Sequence, residues 1–146
     1  MANNPSIYDM DLGQNKANYA ALSPVSFLQR SAFVYPEKTA VIHGELRFSY
    51  RQLYKRARQL ASALSKRGIG KGDTVSVMAP NVPALLEAHY GVLMIGGVLN
   101  AINTRLDGPN VGFILGHGES KLLIADRMFS SVTKIALAEL GHDIPV

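Results

Sequence analysis

The stretch VSVMAPNVPALLEAHYGVLMIGGVLNAINTRL, Val75 to Leu106, decides the fold. An apolar run leads into a helical segment, and that segment leads into a second apolar run. Thr74–Met78 and Val98–Ala101 read as strands. Between them Asn81 is expected to cap a helix over Val82–Ile95, closed by Gly96-Gly97. Downstream the alternation continues. Asp107 is expected to cap a helix to about Leu115, closed by Gly116. Lys121–Ala125 reads as a third strand. Asp126 is expected to cap a last helix to about Leu140, closed by Gly141. Another strand starts within the final residues, His142–Val146. Near-continuous apolar strands separated by helices predict a parallel sheet covered on both faces. The fold class is therefore α/β, three-layered, with a mostly parallel sheet.

Upstream of this unit the signals are local. Residues 1–22 read as an N-terminal arm laid over a domain of residues 23–146. Ser23 caps a first helix with Pro24 at its first position, and Leu22 and Phe27 occupy hydrophobic-staple positions. Tyr35-Pro36 ends that helix. Thr39–His43 and Leu46–Phe48 read as a hairpin about Gly44-Glu45. Ser49-Tyr50-Arg51-Gln52 is a capping box. It opens a helix whose apolar face is Tyr50, Leu53, Tyr54, Ala57, Leu60, Ala61 and Leu64. Gly68 supplies its C-terminal stop.

A chain of 146 residues can bury a real core. At 47% hydrophobic and 18% charged residues it is too apolar to be disordered. With no cysteine, thiolate catalysis, disulfides and cysteine metal sites are excluded, which fits a reducing compartment. The net charge of +4 reads as an ordinary solvated surface. No apolar run approaches the ~20 residues of a membrane span, and no secretory signal is visible. Ser120-Lys121-Leu122 spells the peroxisomal tripeptide, but that address is read only at a C-terminus.

No catalytic, cofactor-binding or metal-ligating residue is expected. The turn Ala79–Pro83 lies at a strand's carboxyl end, where open α/β sheets bind ligands. Yet Pro80 and Pro83 have no N–H, and no glycine lets a phosphate approach. Gly68–Asp73 is rich in Gly and Lys but precedes a strand, with Gly72 where a phosphate loop has Ser or Thr. Gly116-His117-Gly118-Glu119-Ser120 is not a nucleophile elbow. His43, His89, His117 and His142 lack metal-ligand spacing. Glu87 and His89, two apart on one helix, point different ways. The basic face carrying Arg51, Lys55, Arg56, Arg58, Lys66 and Arg67 reads as solvated. No aromatic-rich strand offers base stacking, so nucleic acid is not an expected partner.

Several stretches together resemble one family. Phe48–Leu53 followed by Leu60–Leu64 resembles the first shared segment of AMP-forming acyl-CoA synthetases, members of the adenylate-forming superfamily. Gly68–Val75 is similar to the turn and strand that follow. APNVPALLEAHYGVLMIGGVLNAINTRL resembles the second segment, with Gly96-Gly97 and Asn100–Asn103 in place. Val98–Leu106 and NYAALSPVSFLQRSAFVYPEKTAVIHG are similar to the plant-type acyl-activating enzymes.

The resemblance implies an incomplete N-terminal part of a larger adenylate-forming domain. The whole enzymes join a carboxylic acid to ATP, giving an acyl-adenylate, and coenzyme A then displaces AMP. ATP, magnesium and coenzyme A are implied for the full-length family, and none is expected on this piece. The phosphate loop, magnesium Glu, ribose Asp and catalytic Lys all lie downstream in the family. Thr39, Thr74, Thr104 and Thr133 are scattered, so no degenerate phosphate loop hides here. The expected role is scaffold of an acid–CoA ligase, inactive alone, in the cytoplasm or peroxisome. One alternative is a non-catalytic product that associates with a full-length homologue or another partner. A second is a basic anion- or nucleic-acid-binding module.

Overall fold

The computed structural model describes Met10 and residues 13–146. Among the described residues, five strands divide into a three-stranded parallel sheet and a separate antiparallel hairpin. The sheet contains β3 (Thr74–Met78), β4 (Val98–Ala101) and β5 (Ser120–Ala125), ordered β4-β3-β5. The hairpin pairs β1 (Thr39–His43) with β2 (Leu46–Ser49), and Gly44 turns it at φ +55°. Positive φ costs glycine little, which is why it occupies the loop.

The helices are α1 (Pro24–Val34), α2 (Tyr50–Lys66), α3 (Pro83–Met94), α4 (Gly108–His117) and α5 (Ser130–Glu139). They cover both faces of the sheet. Alternate residues of a strand point to opposite faces, and two cores form accordingly. Val75, Val77 and Leu122 pack with Leu64 of α2 and with Ala88 and Val92 of α3. Met78 and Leu123 face the other way, against Val111 and Leu115 of α4 and Ala136 of α5. A third cluster joins Leu28 of α1 to Leu53 and Ala57 of α2.

The capping box at α2 forms as expected. Gln52 N–H donates to Ser49 Oγ at 3.3 Å, and Ser49 N–H donates to Gln52 Oε1 at 2.8 Å. Ser49→Ala is expected to cost about 1 kcal/mol, read as a lowered urea midpoint. At the other end Ile69 N–H reaches Leu64 O and Gly68 N–H reaches Ser65 O. This paired closure needs a left-handed residue, and Gly68 supplies it at φ +80°.

Four local expectations are corrected. Asn81 does not cap α3. Val82 does so by backbone alone, because Pro83 forces the preceding residue extended, at φ −114° and ψ 162°. Helix α4 runs through Gly116 to His117, since a glycine inside a helix costs only about 1 kcal/mol and its hydrogen bonding continues to Gly118. Asp126 caps a single 3-10 turn, Arg127–Phe129, by accepting from Met128 N–H, and α5 begins only at Ser130. Leu22 and Phe27 form no buried staple, being 88% and 51% exposed.

The arm expected over residues 1–22 falls partly outside the described residues. Residues 13–22 are exposed, and Gly13, Asn15, Ala17 and Asn18 hydrogen-bond among themselves. At the other end of the chain, Leu123 N–H donates to Pro145 O at 2.9 Å. The closing residues thus begin to pair along the outer edge of β5.

Candidate functional site

Chain order reverses at β3: the strand after it, β4, lies on one side, and the next, β5, on the other. The crevice beyond the carboxyl ends of β3 and β5 is where an open α/β sheet takes ligands. Here Asp126 N–H donates to Met78 O at 2.8 Å and bridges the two strand ends. Asp126 Oδ1 is held by Met128 N–H. On the β3 side Pro80 and Pro83 lack N–H groups, and Val82 N–H turns back to Pro80 O at 2.7 Å. The turn therefore offers no cradle for a phosphate.

Most amides of the glycine-rich loop donate to protein oxygens. Gly68 and Ile69 close α2, as described. Gly70 N–H donates to Asp73 Oδ2 at 2.9 Å, Gly72 N–H to Gly96 O, and Asp73 N–H to Gly70 O. A phosphate cradle needs free amides converging on one point, and this loop instead ties α2 to the turn before β4.

The remaining singled-out residues are dispersed. Glu87, buried, accepts from Arg56 Nε at 2.6 Å and links α3 to α2. The guanidinium of Arg56 also lies 5.0 Å from the Phe48 ring. His89 points elsewhere and shares its Nδ1 with Leu85 O. His117 stacks on Phe113 at 5.5 Å. His43 lies on the hairpin and His142 near the chain end. Among the described residues no three His, Asp or Glu side chains gather to hold a metal. On the basic face of α2, Arg51 pairs with Glu37 at 2.7 Å and Arg58 lies over Tyr54. Ser76, Ser120 and Asn100 form a buried polar knot, Oγ to Oγ 2.6 Å and Asn100 Nδ2 to Ser76 Oγ 2.9 Å. Ser76 and Ser120 are buried and Asn100 is half-buried, so the knot ties β3 to both neighbouring strands.

One concave surface was not anticipated from sequence. A groove of about 500 Å³ runs between the hairpin and α3, lined by Ile42, Val82, Leu86, His89, Tyr90 and Leu93 among others. Its walls come from elements remote in sequence, so no local motif announces it. The available signal was α3 itself. Pro83–Met94 is apolar almost all round, and such a helix is covered on more than one side.

A family model described as AMP-binding enzyme matches residues 28–144. The peroxisomal acetate/butyrate–CoA ligase of Arabidopsis thaliana is 48% identical over 87% of this chain and 22% of its own length. The acetate–CoA ligase of Humulus lupulus is 47% identical over 91% of this chain and 23% of its own. Among solved structures, the Mycobacterium tuberculosis fatty acyl CoA synthetase superposes with TM-score 0.76 and 30% identity, over 84% of this chain and 26% of that one. The N-terminal domain of FACL13 from the same organism superposes with TM-score 0.77 and 29% identity, over 86% and 34%. The chain thus spans between a fifth and a quarter of the length of these curated relatives. With the parallel sheet, the helices on both faces and the family match agreeing, the chain belongs to the AMP-binding enzyme family.

Proposed function

We propose that this chain is the N-terminal scaffold of an ATP-dependent carboxylic acid–CoA ligase and is inactive by itself. The whole reaction joins a carboxylate to the α-phosphorus of ATP, releasing pyrophosphate. The thiol of coenzyme A then attacks the acyl carbon and AMP leaves. The family match over residues 28–144, with relatives named as acid–CoA ligases, carries the reading. The spent amides of Gly68, Ile69, Gly70, Gly72 and Asp73 and the prolines of the Ala79–Pro83 turn support inactivity. ATP, magnesium and coenzyme A are then held by residues outside this stretch. No residue of this chain is assigned a catalytic, cofactor-binding or metal-binding role. Relatives named for acetate, butyrate and benzoate support a carboxylic acid as the substrate class of the whole enzyme.

Several relatives are named as peroxisomal, which supports the peroxisome or the cytoplasm as the compartment. Among the described residues no helix is long and apolar enough to cross a membrane.

The test is acid-dependent ATP–pyrophosphate exchange by purified 1–146 with acetate, butyrate and benzoate. The expected result is exchange no faster than the protein-free blank. Acid-dependent exchange that co-purifies with the chain overturns the reading.

A second reading is association with another chain, favoured by the open groove beside α3.

A further inference from the structure

We propose that the cleft between α1 and α2 is a binding site for a small aromatic oxyanion, a flat ring carrying a carboxylate or a phosphate. Two stripes of side chains bound it. Ser26, Gln29, Arg30 and Phe33 recur at the three- and four-residue spacing that shares one face of α1. Arg51 and Tyr54 stand three apart on α2 and form the other wall. The cavity measures about 570 Å³, within the roughly 300–1,000 Å³ of small-molecule sites. The two helices meet at Leu28, the buried residue of α1, which packs on Leu53 and Ala57 of α2.

The lining supplies both halves of such a ligand's chemistry. Phe33 is 86% exposed, and an aromatic ring left in water gains by stacking on another. Arg30 and Arg51 bring two guanidinium groups to the same cavity, and a guanidinium fork matches the oxygens of a carboxylate or phosphate. No Asp or Glu lines it. Among the described residues Arg30 makes no ion pair, and Arg51 meets Glu37 alone. That pair is 2.7 Å long, but its side chains are 66% and 76% exposed, so it is weak and an incoming anion can exchange it. One cation already rests on the second ring: the Arg58 guanidinium lies 5.6 Å from the centre of Tyr54. An inorganic anion leaves Phe33 in water, and a neutral ring leaves both guanidinium groups without an anion. A ring bearing an oxyanion uses the whole cleft.

The test titrates purified 1–146 with benzoate and with phenyl phosphate, followed by amide NMR shifts. Saturable one-to-one binding is expected with a Kd of about 1 mM or below, and the tighter probe identifies the anionic group. Acetate and inorganic phosphate lack the ring, and benzyl alcohol lacks the charge. Each should bind at least about tenfold more weakly. Arg30→Gln and Phe33→Ala, both at exposed positions, should each weaken binding at least about fivefold. Arg47→Gln on the hairpin should change it less than about twofold. Glu37→Gln frees Arg51 and should tighten binding about twofold or more, a gain that a damaged fold cannot give.

Saturation by neither probe overturns the proposal. So does binding indifferent to Arg30 and Phe33, binding of acetate or benzyl alcohol as tight as that of the aromatic anions, or a Glu37→Gln variant that binds no tighter. Self-association of 1–146 that Phe33→Ala abolishes would assign the cleft to a second copy, and also overturns it. The cleft shares no residue with the Gly68–Asp73 loop or the Ala79–Pro83 turn, so the proposal is independent of the scaffold reading. Exchange activity of 1–146 alone removes that reading and leaves the cleft untouched, whereas failed binding here leaves that reading standing.

Discussion

Replacing Leu123 by Ala is expected to lower the unfolding free energy by about 3 kcal/mol, the middle of the range for buried Leu→Ala changes. Leu123 sits on the middle strand position of β5 and is fully buried. It faces α4 and α5, where Met78, Ile102, Val111, Leu115 and Ala136 surround it. Truncation removes the transfer energy of the lost carbons. It also leaves a cavity that strands and helices held from both sides cannot collapse to fill. A domain of ordinary stability has about 5–15 kcal/mol to lose, so the change is a large share. The check is urea unfolding, with the midpoint falling at an unchanged slope. Leu22→Ala serves as the contrast, because Leu22 is 88% exposed. It should shift stability by no more than about 0.5 kcal/mol. Equal effects at the two positions would contradict the placement of the second core.

Gly91→Leu is expected to cost about 3 kcal/mol, although glycine is a poor helix former. In an open helix, exchanging Gly for a larger residue gains roughly 1 kcal/mol of propensity. At Gly91 the helices α2 and α3 approach too closely for that gain to appear. A Cβ there would stand 2.9 Å from Leu60 Cδ2 and 3.0 Å from the Ala57 carbonyl oxygen. Leu60 can rotate, but the Ala57 carbonyl is backbone within a helix and cannot yield without moving α2. Gly91→Ala separates the two contributions. It adds the propensity gain and the Cβ contacts with Leu60 and the Ala57 carbonyl, but none of the bulk beyond Cβ, so it should fall between the parent and Gly91→Leu. If Gly91→Leu were as stable as the parent, the close crossing of α2 and α3 would be wrong.

Much of this fold is legible in the order of residues. The bounds of β3 and β4 can be read to the residue, because Val75–Met78 and Val98–Ala101 are mainly apolar runs between stops at Asp73, Pro80, Gly97 and Asn103. The capping box at Ser49–Gln52 and the glycine stops at Gly68 and Gly96 were likewise visible, each being a short-range hydrogen-bond pattern. Where the structure differs, the cause is also local. Asn81 carries a capping side chain, but Pro83 outranks it, since the proline ring fixes where the helix starts. Asp126 does cap, but only a 3-10 turn. Gly116 looks like a stop and is instead carried inside α4.

The two loops singled out from sequence differ in how much of their geometry is legible. The prolines of Ala79–Pro83 already exclude a phosphate cradle there. In the Gly68–Asp73 loop, however, only the fold shows Asp73 folding back on Gly70 N–H and Gly72 reaching Gly96. The second of these bonds crosses more than twenty positions of sequence.

What the sequence by itself determined is the alternation of strands and helices, their caps, and through them a parallel sheet with two covered faces. These follow from period, turn chemistry and backbone donors, which act over a few residues. What only the tertiary structure decided is the β4-β3-β5 order, the Arg56–Glu87 bridge, the crossing at Gly91 and the groove against the hairpin. Each of these joins residues distant in sequence. Their energies come from surfaces that exist only after the chain has packed.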